Sequence, residues 1–294
     1  MGEILVRILV KGEEAIVEEF LLTRLDYSMI LFNNIQARGL SYRGQRYEGI
    51  YAGAFDGPDL VGLVAHYWNN NLIFQAPTHL EALIRTAIRA SCRPVGGLLG
   101  PEEQVQLAKD ILGLSAVDLR YDDVEKLYSL NLNDLIVPGI LTTGQVRGRL
   151  ANHNDIDLLV DWRIAYLKET LDEQETPESS TQAIRGYIAE GRTWVIEYSG
   201  EIVATSSLNA SVYNSTGAGI VQVGGVWTPP AMRRQGYGRA VVATSLVDAR
   251  NNDVRKAILF TNESNIGAQK AYLALGFRHI GAYHLTFLHK HMTP

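Results

Sequence analysis

The stretch at 224–249, GGVWTPPAMRRQGYGRAVVATSLVDA, constrains this chain more than any other. The apolar run up to Val226 reads as a strand, and Pro229 and Pro230 then enforce an extended turn, because each fixes φ and lacks an N–H. After RRQGYG, Ala240, Val241, Ser245, Leu246 and Ala249 recur at helical spacing. A helix must therefore begin directly behind a glycine-containing loop. Gly236 and Gly238 let a ligand approach the backbone closely. The unpaired first-turn N–H groups, with about half a positive charge at the helix N-terminus, favour an anion such as a pyrophosphate. Arg233 and Arg234 add cations. The plainer readings are a turn that merely starts a helix and two solvated arginines. Two other phosphate loops are excluded: the Gly-Lys-Ser/Thr spacing is absent, and Val241 stands where the dinucleotide fingerprint needs its third small residue.

Around this stretch the periodicity predicts the same order of elements twice. The first half reads as a strand at 4–10, helices at 13–24 and 27–38, strands at 47–55, 60–67 and 71–75, a helix at 79–90, a strand at 95–99 and a helix opening at Pro101. The second half reads as a strand at 146–150, helices at 155–171 and 180–190, and strands at 193–198 and 202–212 joined by a Ser199-Gly200 turn. A strand at 219–226, a helix at 234–250, a strand at 256–260, a helix at 265–275 and closing strands to about 288 complete it. A length of 294 residues suits two domains. The turn-rich segment at 138–144 is the expected junction, giving domains at 1–140 and 141–294.

Composition narrows the partners. Hydrophobic residues make up 46% and charged residues 20%, a balance that supports real cores. With 27 Lys+Arg against 32 Asp+Glu the formal net charge is -5, so no whole-chain basic surface is available for nucleic acid or an anionic membrane. Cys92 is the one cysteine and reads as a buried small apolar residue. It cannot pair within the chain, and Glu3, Arg7 and Lys11 interrupt the first apolar stretch, so a cytoplasmic setting is expected.

A second segment, TNESNIGAQKAYLALGF at 261–277, follows the glycine loop at a telling distance. Arg233, Arg234, Gln235, Gly236, Tyr237 and Gly238 resemble the R/Q-x-x-G-x-G/A signature of the GNAT superfamily of N-acetyltransferases. Asn265, Ala268, Tyr272, Gly276 and Phe277 resemble that family's second pattern. The resemblance covers about 145–294. It implies a mixed α/β (α+β) fold of two GNAT-like domains, each a mostly antiparallel twisted sheet flanked by helices. The first would be a degenerate copy, since only APTH separates its strand at 71–75 from the next helix. It further implies acetyl-CoA as cosubstrate, no metal, and a small-molecule amine as partner. The backbone of Val226, Trp227 and Thr228 would run along the thioester. Arg233, Arg234, Gln235, Gly236, Tyr237, Gly238 and Arg239 would form the pyrophosphate loop, Asn265 and Ala268 would meet the coenzyme arm, and Tyr272 would be the catalytic residue at the sulfur.

The chemistry agrees with those roles. A phenol near about 10 can hydrogen-bond or protonate a thiolate whose acid lies near about 8.5, a mismatch of roughly 2 kcal/mol. An alkyl amine near about 10.4 pays roughly 4.6 kcal/mol to be neutral at pH 7, so a base or water relay is expected. Many members carry a glutamate on the strand before the loop, where this chain has Gln222. Glu197, Glu201, His279 and His284 are the candidate bases, each with a plain reading as a surface or strand-face residue. The missing glutamate keeps a second reading open, a non-catalytic acyl-CoA-binding or sensing module. A homo-oligomer is compatible with everything in the sequence.

Overall fold

The computed structural model describes residues 4–213 and 219–293. The chain divides into two units, Met1–Lys126 with Ala282–Pro294, and Leu127–Gly281.

The first unit runs β1 (Ile4–Ile8), α1 (Glu14–Leu22), α2 (Leu25–Arg38), β2 (Gly49–Asp56), β3 (Asp59–Tyr67), β4 (Asn71–Gln75), α3 (Leu80–Ser91), β5 (Val95–Pro101), α4 (Glu102–Leu112) and the start of β6 (Leu119–Asn131). Strands β1 to β4 pair antiparallel in sequence order, and β4 pairs parallel with β5. Helix α3 buries Leu80, Leu83, Ile84 and Ala87, the spacing that makes one apolar stripe. The HYWNNN segment is the β3–β4 turn, with Asn70 left-handed at φ 65 and Trp68 stacked edgewise on Tyr47 and Tyr67.

The second unit continues from β6 through α5 (Gly139–Thr142), β7 (Arg147–Leu150), α6 (Ile156–Leu171), α7 (Pro177–Ala189), β8 (Thr193–Tyr198), β9 (Glu201–Tyr213), β10 (Gly219–Trp227), α8 (Tyr237–Asn251), β11 (Val254–Asn262) and α9 (Ile266–Leu273) to the first residues of β12 (Arg278–Met292). Its strands follow the order β11-β10-β9-β8-β7. Ser199 at φ 51 and Gly200 at φ 85 make the tight β8–β9 turn that matches strand twist. Helix α8 buries Ala240, Val241, Ser245, Leu246 and Ala249 as their spacing requires. One core joins these residues to Val221 and Val223 of β10 and Tyr272 and Phe277 around α9.

Three expectations are corrected. The units do not part at 140/141. The segment at 138–144 holds α5, whose Ile140 and Leu141 pack on the second core, and the division falls inside β6. The closing residues are not part of the second unit: beyond Ala282, β12 pairs antiparallel with β5, from Tyr283↔Pro101 to Met292↔Val95. Cys92 is exposed, because it ends α3 in a left-handed conformation at φ 50 with its thiol on the Arg89 carbonyl.

Candidate active site

Strand β10 is the frame of the site. It pairs parallel with β11 from Gly219↔Val254 to Val223↔Leu259, and the described pairing ends there although both strands run on. Its antiparallel pairing with β9 shifts register between Gly224 and Trp227, where Gly225 takes φ 57. The bulge turns the last residues of β10 out of the β11 ladder. Backbone groups at 224–227 are thereby freed on that side. This parting of two parallel strands is a splay placed directly before the glycine loop.

After the splay, Pro230–Met232 makes one 3-10 turn, Arg233 is extended, and Arg234 at φ 65 and Gly236 at φ 83 curl the backbone into α8. The first helical bond runs from the Ala240 N–H to the Gly236 carbonyl at 3.0 Å. The N–H groups of Tyr237, Gly238 and Arg239 precede that bond, and no side chain caps them. A Cβ at Gly236 would stand 3.4 Å from Ile140 and 3.9 Å from an Arg239 guanidinium nitrogen, so Arg239 lies beside the loop. The Arg239 Nε is buried with no partner. Free backbone donors, a glycine cradle and an orphaned guanidinium nitrogen fit a pyrophosphate.

Arg233 is held by neighbours within the chain. Its guanidinium bonds the Glu169 carboxylate at 2.9 Å and the Thr228 carbonyl at 3.0 Å and lies 4.9 Å over the Trp227 ring. It ties the loop to α6. Asn265 caps α9, its side-chain oxygen accepting the Ala268 N–H at 3.1 Å. Tyr272 is buried, with its ring 6.3 Å from Tyr128 and 6.0 Å from Phe277. Val226, Tyr237, Ala268 and Tyr272 meet in one apolar cluster, so the structure brings the strand end, the loop helix and α9 together. Gly276, at φ +98, ends that helix where a Cβ would lie 2.8 Å from the Asp134 carbonyl oxygen.

On the other face of β10, Gln222 is buried and its Oε1 has no partner. Alternation puts Gly224 on the same face, and there a Cβ would strike the Asn209 amide at 2.0 Å. Beside it lies a cavity of about 180 Å³ between α6, α7 and the bulge, lined by Trp162, Tyr166, Tyr187, Trp227, Thr205, Ser207, Asn209 and Gly225 among others. The sequence reading missed this cavity. Its one visible signal was the pair Trp162 and Tyr166, four apart on α6 and so on one face.

None of the four candidate bases lines that cavity. Glu197 accepts from the Arg149 Nε at 2.6 Å, and Glu201 is exposed. His279 sits 5.5 Å from the Tyr128 ring, whereas His284 belongs to the first unit, bonded to Asp122 at 2.8 Å. Among the described residues no group of three or more His, Cys, Asp or Glu is arranged to hold a metal, and no helix is long and apolar enough to cross a membrane.

Comparison with known proteins places this geometry. Several solved structures share the fold along almost the whole chain. A Drosophila protein matches at 12% identity and TM-score 0.65, covering 97% of this chain and 99% of its own. A GCN5-related N-acetyltransferase from Sphaerobacter thermophilus matches at 13% identity and TM-score 0.59, covering 99% and 96%. A tandem GNAT protein from the clavulanic acid biosynthesis pathway matches at 10% identity and TM-score 0.58, covering 97% and 98%. No curated protein sequence matches. The fold is thus mixed α/β with two GNAT-like units. The acetyltransferase (GNAT) family model matches residues 157–277, the stretch that holds α6, the splay, the glycine loop and Tyr272, and this part of the chain is a GNAT-family domain.

Proposed function

We propose that the chain is an acetyl-CoA-dependent N-acetyltransferase that acts on the primary amine of a small molecule. One observation carries this reading: β10 leaves β11 directly before a loop where no side chain caps the first N–H groups of α8 and the Arg239 Nε lacks a partner. That arrangement supports a thioester lying along 226–228 with its pyrophosphate on the loop. The bound thioester supplies an activated acetyl carbonyl. The amine lone pair forms a C–N bond to that carbonyl, the C–S bond breaks, and one amine proton is released as the thiolate takes up another. Strand N–H groups near Val226 would stabilise charge on the carbonyl oxygen, and Tyr272 would hydrogen-bond or protonate the departing sulfur. Gln222 cannot accept a proton as a glutamate would, so the amine proton leaves through another base or a water relay. A cytoplasmic setting belongs to the proposal and rests on the lone, exposed Cys92.

Titration calorimetry of acetyl-CoA into the full chain tests this reading. One site per chain, followed by amine-dependent thiol release, is expected; absence of binding to folded, coenzyme-free protein removes the proposal. The buried, unpartnered Gln222 favours a second reading, a non-catalytic acyl-CoA-binding or sensing module. That module would bind the coenzyme without thiol release in the presence of any amine.

A further inference from the structure

Resting on the acetyltransferase reading, the geometry of the α6–α7 cavity points to its acceptor: a primary amine on a compact apolar or aromatic body, carrying no carboxylate or phosphate. Size comes first. The cavity holds about 180 Å³. A cavity of about 150 Å³ admits benzene, so this one holds a single ring or a short branched chain, and the rest of a larger acceptor would extend through its open side.

Charge comes second. Arg163 is the one charged side chain among the described lining residues. It is bound by Glu175 through two contacts, at 2.6 and 3.1 Å, and Glu175 also accepts from Ser179 at 3.0 Å and Ser180 at 2.6 Å. Each charge is already answered by its neighbour. An acidic acceptor would bury its charge without a partner, which is costly. An alkylammonium can instead rest on the rings of Trp162 and Tyr166, since Arg233 already lies over Trp227 and Arg192 over Tyr187.

Orientation comes third. Gly225 and Trp227 line the cavity and also belong to the bulge, so the cavity opens on the strand segment assigned to the thioester. At that end the Thr205 hydroxyl donates to the Trp194 carbonyl at 3.1 Å and the Ser207 hydroxyl pairs with Thr193 at 2.8 Å. The Asn209 amide lies over Gly224 and also lines this end, where its oxygen can accept an N–H. The transfer adds nothing beyond the thioester: C–N forms, C–S breaks, and the proton lost by nitrogen is balanced by the one gained at sulfur.

The test uses the full chain and two probes alike except in charge, benzylamine and 4-(aminomethyl)benzoate. Binding is read from tryptophan fluorescence without coenzyme, and thiol release from acetyl-CoA is read separately. Benzylamine should bind at least about tenfold more tightly than its carboxylate twin and lead it in thiol release by a similar factor. A Tyr166→Leu variant, checked by its melting curve, should weaken benzylamine binding about fivefold or more while acetyl-CoA affinity stays unchanged. Equal or tighter binding of 4-(aminomethyl)benzoate overturns the inference, as does a fluorescence signal that neither amine moves. Either result leaves the acetyltransferase reading intact, whereas failure of acetyl-CoA to bind removes that reading itself.

Discussion

Gly236 shows how one missing side chain serves backbone and ligand together. Its φ of 83 lies where a Cβ is strained, and the space a larger residue would fill is bounded by Ile140 and Arg239. Gly236→Val should therefore weaken acetyl-CoA binding by about tenfold or more in calorimetry, since a left-handed residue costs about 1–2 kcal/mol before any steric loss. Affinity equal to that of the parent chain would remove the loop from coenzyme binding. Tyr272 poses the complementary case, a residue whose ring packs and whose hydroxyl is assigned to the sulfur. Tyr272→Phe keeps the packing, so turnover should fall about 10- to 10,000-fold with coenzyme affinity nearly constant. Unchanged turnover under chemistry-limited conditions would free Tyr272 of that role. His66 concerns stability alone. It is fully buried, its Nε2 donates to the Pro94 carbonyl at 3.2 Å, and its Nδ1 meets the Ser91 hydroxyl at 2.7 Å. Burial, with Arg93 nearby, lowers its pKa from 6.5 to about 4. Between those values the unfolded chain binds more protons, so stability falls as pH drops through that window, by about 3 kcal/mol at its lower end. Urea midpoints measured from pH 7 to 4.5 should trace this loss, and His66→Gln should flatten it; an equal slope in the variant would assign the loss elsewhere.

Elements whose sequence rule is local were legible, and those that depend on distant partners were not. The apolar spacing of α3 and α8 and the turn chemistry of Ser199-Gly200 can be read from neighbours in the chain. Strand β6 cannot, because it carries Asp122, Asp123, Glu125 and Lys126, residues that disfavour a strand. Its Asp122 is accommodated by Lys109 of α4 at 2.9 Å and by His284 at 2.8 Å and Thr286 at 2.7 Å, the last two lying far away in sequence. The site divides the same way. Loop and splay follow from glycines and prolines beside one another, whereas the acceptor cavity needs α6, α7 and the bulge of β10 folded before its rings meet. The β9–β10 contact gives this point a measurement. Gly224→Ala would drive a methyl group into the Asn209 amide and force that exposed side chain off its position, at an expected cost of about 0.5–1.5 kcal/mol in denaturant unfolding. Asn209→Ala clears that space, so the double variant should recover most of the loss, and strictly additive losses would show that the two residues are not coupled.

At the scale of the whole molecule, neither half of the chain is self-sufficient in the way its repeated element order suggests. The second core includes Tyr128, Leu130, Leu132 and Leu135, all at most 9% exposed and all lying before the turn-rich segment at 138–144. The first unit in turn takes residues from Ala282 onward, where Tyr283 is 1% exposed and β12 pairs with β5. A fragment cut at 141–294 would lose four core side chains worth about 1.5–3 kcal/mol each, about 6–12 kcal/mol together. A domain's whole stability is about 5–15 kcal/mol, so that cut removes most or all of it. It would also leave the apolar residues of β12 without their partner strand. A fragment at 127–281 keeps the core complete and ends before those residues. Expressed side by side, 127–281 should melt cooperatively by circular dichroism, while 141–294 should show no cooperative transition or aggregate. Equal melting temperatures for the two would mean that the end of β6 contributes little to the second core, and that the turn at 138–144 is the true boundary after all.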